Sequence, residues 1–71
     1  MYRFLVVIEK TENNYSAYSP DLPGCVATGA TREETEQSMC DAIKFHIEGL
    51  REDNLQIPEN SSFAELVAIP V

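Results

Sequence analysis

The sequence is poor in cysteine, in basic residues and in long apolar runs, and each shortage closes off a class of protein. Its 71 residues include two cysteines, Cys25 and Cys40. Two thiols cannot build a disulfide framework, and their spacing matches no zinc-binding pattern. Five lysines and arginines stand against 12 aspartates and glutamates, for a net charge of −7. Direct nucleic-acid binding calls for a basic face, so that class is set aside. The longest apolar run, Phe4 to Ile8, falls far short of the ~20 residues that a membrane-spanning helix needs. With no signal peptide visible, the expected location is the cytoplasm, with reduced thiols. Glycine is scarce as well, and no glycine-rich phosphate loop is present.

The length predicts a single domain, residues 1–71, without repeat, linker or low-complexity segment. A domain of this size buries only about 60% of its unfolded surface and needs help to be stable. With disulfides and metals set aside, oligomerisation is the expected helper. The acidic balance keeps the chain soluble, and it also suits a basic protein partner, because complementary fields speed association.

What the sequence does have is a stiff central stretch, Tyr18-Ser19-Pro20-Asp21-Leu22-Pro23-Gly24-Cys25. Proline fixes φ near −65° and glycine accepts positive φ, so Asp21 to Gly24 is expected to be a rigid, shaped loop. Such a loop sets the geometry of the strands on either side or presents a surface, and both readings stand.

Around it, local patterns give the order β-β-β-α-β. Tyr2 to Lys10 alternates as a first strand and is apolar on both faces in its middle, which suggests a central strand. Thr11 to Asn14 is a turn, and Tyr15 to Ser19 returns to form an antiparallel hairpin. Cys25 to Thr28 is the third strand. Thr31 and Glu34 form a capping box, and a helix is predicted from about Arg32 to about Asp53. Its apolar stripe is Thr35, Met39, Ala42, Ile43, His46, Ile47 and Leu50. Phe45 stands apart on the polar side, as either an interface residue or a lone exposed apolar one. Asn54 can stop the helix. Phe63 to Ile69 alternates as a last strand, and Pro70 ends it. A right-handed crossover would lay this strand parallel to the first, giving a mixed sheet of order 3-2-1-4 with the helix on one face. The open outer face and the free edges favour pairing with a second copy.

Catalytic patterns are sparse. His46 is the only histidine and lies within the apolar helix stripe, where a packed histidine is the expectation. Cys40 and His46 are about 120° apart around the helix and do not converge. A nuclease-like metal site needs clustered carboxylates, and only Glu9 and Asp21 are placed to contribute. Glu33, Glu34 and Glu36 suit helix capping and the helix dipole. Ser16, Ser19, Ser38, Ser61 and Ser62 have no paired base in a recognisable motif. No enzyme activity, metal or other cofactor is expected.

Tyr15 to Cys25, followed by Gly29-Ala30-Thr31-Arg32-Glu33-Glu34, resembles the core signature of the HicB antitoxin family. Ala42 to Leu50 and Ile57-Pro58-Glu59 resemble its helix and post-helix segment, so the likeness runs from Phe4 to Val71. The resemblance implies a partial ribonuclease H-like fold. It also implies an antitoxin that blocks HicA, a small basic toxin that cleaves mRNA, and assembly as a homodimer or homotetramer. Many family members continue into a helix-turn-helix or ribbon-helix-helix module, and no such pattern is present here, so direct promoter binding is not expected.

The candidate partner contacts are Asp21, Leu22, Pro23 and Gly24 in the loop, with Glu34, Asp41, Phe45, Glu48 and Glu52 on the helix. The alternatives are an oligomeric scaffold or ligand-binding domain without a toxin and, behind it, a metal-dependent nuclease.

Overall fold

The computed structural model describes residues 1–71. It contains β1 (Val7–Lys10), β2 (Tyr15–Tyr18), β3 (Val26–Gly29) and α1 (Arg32–Glu52), in that order. The three strands form one antiparallel sheet of order β1-β2-β3. Register rows run Val7 to Tyr18 to Val26 and Ile8 to Ala17 to Ala27. Because side chains alternate between faces, one row points to the helix and the other away from it. Ala17 is buried, with Ile8 and Ala27 packed against the core, whereas Tyr18 and Val26 are exposed. The helix therefore covers one face and leaves the other open.

The β1–β2 hairpin closes on Thr11 and Asn14. The Thr11 amide donates to the Asn14 carbonyl at 2.8 Å, and the Asn14 amide donates back to Thr11 Oγ1 at 3.1 Å. β1 is shorter than the Tyr2 to Lys10 strand its alternation predicts. Its partner β2 ends at Tyr18, where Ser19 enters a turn and Pro20 has no amide to donate.

The helix ends are set as the sequence indicates. Thr31 is the N-cap, and its Oγ1 accepts from the Glu34 amide at 3.1 Å. Glu34 Oε2 accepts in return from the Ala30 amide at 3.2 Å, one residue before the cap. At the other end Asn54 takes φ 55, the Leu55 amide donates to the Leu50 carbonyl at 2.8 Å, and Asn54 donates to Arg51 at 3.1 Å. These two bonds and the left-handed residue between them make a Schellman motif with asparagine in the usual glycine place.

The core is Ala17, Leu22, Cys25, Met39 and Ile47, flanked by Phe4, Val6, Ile8, Ala27, Ala42, Ile43, Leu50 and Ile57. Gly29 lets the helix close on β3: a Cβ there would lie 2.7 Å from Thr35 Oγ1 and 2.8 Å from the Thr35 amide nitrogen.

One expectation is overturned. No strand follows the helix, so the mixed β-β-β-α-β sheet of order 3-2-1-4, with its ribonuclease H-like parallel strand, is replaced by an all-antiparallel three-stranded sheet. The reason lies at residues 60–62. The Leu5 amide donates to Asn60 Oδ1 at 2.9 Å, and the Ser61 and Ser62 amides donate to Asp21 at 3.0 and 3.1 Å. These bonds fasten the chain between its beginning and the β2–β3 loop. From Phe63 on every residue is exposed and none pairs with β1. Alternation makes a segment fit to join a sheet, but a strand exists only where its backbone groups find a ladder.

Candidate functional site

The proline-rich loop folds as two successive turns. The Leu22 amide donates to the Ser19 carbonyl, and the Cys25 amide to the Leu22 carbonyl, each at 3.1 Å. Pro20 and Pro23 each stand second in their turn, where φ near −65° is required. Gly24 stands third in the second turn, directly after Pro23, with φ +83, the left-handed position that favours glycine. This winding drives Leu22 inward until none of its surface is exposed, and it leaves Pro23 and Gly24 outside.

Asp21 also turns towards the protein. It accepts from the Ser61 amide, from Ser61 Oγ at 3.1 Å and from the Ser62 amide. Desolvation pushes its carboxyl up, but the hydrogen bonds from Ser61 and Ser62 together outweigh that, and its pKa lies below the ordinary carboxylate value. Burial alone pushes the Cys25 thiol up. Nothing around Asp21 in sequence announced Ser61 as its partner, because 40 residues separate them.

Glu34, Asp41 and Glu48 are spaced by seven, which keeps successive members within about 20° of one line along the helix, and Glu52 follows one turn later. All four are exposed. Glu34 is engaged at the helix cap, and Asp41 accepts from Gln37 Nε2 at 3.2 Å, so Glu48 and Glu52 are the acids on this line outside the capping and Gln37 bonds. Phe45 is 79% exposed. It shares a shallow groove of ≈ 400 Å³ with Gly24, Val26, His46, Gly49 and Leu50. The fold thus brings two expected contact residues, Gly24 and Phe45, to one place. Val26 and Gly49 join them, and only the packing of the helix on β3 shows that.

His46 and Cys25 line the same groove, whereas Cys40 lines a different one. No three histidine, cysteine, aspartate or glutamate side chains are placed so that they could hold a metal ion. Glu9 sits exposed at the end of β1, opposite Ser16, and Asp21 is held by the serines. No helix is long and apolar enough to cross a membrane.

Fold and surface together define a small acidic α+β domain that offers an exposed helix face and shallow apolar grooves. Comparison with known proteins gives this class a family. Residues 4–71 match the model described as the HicB_like antitoxin of bacterial toxin-antitoxin systems, and the chain belongs to that family. It is similar to a UPF0150 protein of Thermoplasma acidophilum, at 34% identity over 84% of this chain and 88% of the relative. A UPF0150 protein of Helicobacter pylori is 43% identical over 69% of this chain and 68% of its own length. An uncharacterized 14.9 kDa protein in the rep-hol intergenic region of Haemophilus phage HP1 is 35% identical over 92% of this chain. The chain spans about half of that phage protein, 49% of its length. No solved structure matches the chain.

Proposed function

We propose that this chain is an antitoxin that neutralises a small basic HicA-type toxin, an mRNA-cleaving nuclease, by protein–protein contact, and that it does so in the cytoplasm as a homo-oligomer. Membership of the antitoxin family over residues 4–71 carries this reading. The net charge of −7 supports it, because a basic partner would be steered to an acidic surface.

The contact surface we assign is the exposed outer part of the loop, Pro23 and Gly24, with Phe45 beside it and the acids Asp41, Glu48 and Glu52 along the helix. Phe45 supplies the apolar anchor that a protein interface needs at its centre, and the acids supply orientation and on-rate. Leu22 contributes from behind by holding the loop, and Asp21 and Glu34 by fixing backbone. The role is that of a binding protein and calls for no catalytic group and no cofactor.

The test is co-expression with a HicA-type toxin, taken from a neighbouring reading frame where one encodes a short basic protein. The expected result is a stable complex of fixed ratio and restored growth of cells carrying the toxin, both weakened by Phe45→Glu with the fold intact by circular dichroism. Recovery of the chain alone, with no rescue of growth, would assign it instead to an oligomeric binding domain without a toxin.

A further inference from the structure

The segment 63–71 is built unlike the rest of the surface. Phe63, Leu66, Val67, Ile69 and Val71 are 66–113% exposed. Monomeric soluble proteins rarely present contiguous apolar surface of this kind without something to cover it. Beyond Ser62 the segment makes no hydrogen bond to the rest of the chain; its one backbone bond is local, from Val71 to Ile69. The radius of gyration, 14.0 Å, exceeds the about 11 Å of a compact chain of this length. Its sequence alternates and carries a single charge, Glu65.

A complementary surface lies elsewhere on the molecule. A groove of ≈ 650 Å³ runs between residues 2–6 and the helix, floored by Tyr2, Phe4, Val6, Ile43 and Ile47. No residue of 63–71 lines it. Three of the five basic residues of this acidic chain, Arg3, Lys44 and Arg51, stand around it, against one acid, Glu48. Beside it β1 pairs with β2 on one side only, so its other edge offers unpaired backbone groups.

We propose that segment 63–71 of one copy lies along the free β1 edge and in this groove of a second copy, and that the exchange is reciprocal. The apolar side chains fill the groove, Glu65 meets the cations Arg3, Lys44 and Arg51 that outnumber Glu48 around it, and the backbone of the segment takes up the unpaired groups of the edge strand. Reciprocal exchange makes the contact self-complementary, so it closes as a two-fold dimer and leaves no free edge of β1. The inference stands apart from the toxin reading and identifies the copy-to-copy contact that an oligomeric antitoxin would use.

The test is light scattering after size-exclusion chromatography of the full chain and of Val67→Pro, both at tens of micromolar. Proline at 67 removes a backbone donor and fixes φ, which opposes strand addition, while the segment makes no hydrogen bond to its own body that the change would break. The expected result is twice the 8.0 kDa chain mass for the unaltered protein and half of that for the variant, with the same helical circular dichroism. A second readout is labelling of Cys40, which lines the groove: it slows as the protein is concentrated, and Val67→Pro abolishes the slowing. A single-chain mass for the unaltered protein, or a dimer whose mass Val67→Pro leaves unchanged, would overturn the proposal. A dimer with no toxin recovered upholds the exchange and defeats the antitoxin reading; a monomer that binds toxin does the reverse.

Discussion

Replacing Leu22 by alanine separates the two roles open to the proline-rich loop. Leu22 is fully buried, in one cluster with Ala17, Cys25, Met39 and Ile47. The substitution removes three carbon groups from the core, about 2.5 kcal/mol at about 0.8 kcal/mol each. Met39 has no exposed surface either, so the site cannot collapse freely, and the cavity raises the cost to about 3–4 kcal/mol. A domain of this length has a total stability of about 4–11 kcal/mol, so the loss is a large part of the whole. Urea unfolding followed by helix circular dichroism, at one fixed protein concentration, measures it. Each kcal/mol also lowers Tm by about 4–8 °C in a domain of this size. Pro23, exposed on the same loop, is the control: Pro23→Ala should cost only about 0.5–1 kcal/mol, through added freedom of the unfolded chain. A Leu22→Ala loss below about 1 kcal/mol would refute the argument that this side chain pins the loop to the core.

Gly29→Ala forces a Cβ to within 2.8 Å of the Thr35 backbone nitrogen, and because backbone must yield, a loss of about 1–3 kcal/mol is expected in the same unfolding assay. Thr31→Ala removes the oxygen that accepts from the Glu34 amide and should cost about 1 kcal/mol, read as a lower urea midpoint with an unchanged slope. The anchor at Asp21 predicts a pH effect of definite sign. Its folded pKa is below the ordinary value, so the anchor is fully present above pH ~4 and weakens as the pH falls through the lowered folded value. Amide exchange at Ser61 and Ser62, corrected for its intrinsic pH dependence, should lose protection on that descent, and Asp21→Asn should remove most of it already at neutral pH. Unchanged protection in the variant would show that the segment is held by something else.

The parts legible in the sequence were those that local chemistry decides. Thr31 and Glu34 lie three residues apart and together cap the first turn of the helix, so the helix start follows from the text alone. Asn54 accepts the left-handed backbone that ends it. The paired prolines and Gly24 prescribe a stiff, shaped loop without reference to anything distant. Family membership was legible for the same reason, since its signature is carried by these contiguous motifs.

What the sequence could not decide depends on which distant groups meet. Asp21 looked like a surface acid, and it binds serines 40 residues away. Leu22 looked like part of a presented loop, yet the two turns rotate it into the core. Gly24 and Phe45 meet in one groove only because the helix packs closely on β3, through the space that Gly29 leaves open. The last segment shows the limit most plainly. The alternation from Phe63 to Ile69 encodes the capacity to form a strand, but not the partner, since backbone hydrogen bonds are satisfied by any edge that is near. The anchors at Asn60, Ser61 and Ser62 decide that the near edge is not the chain's own β1.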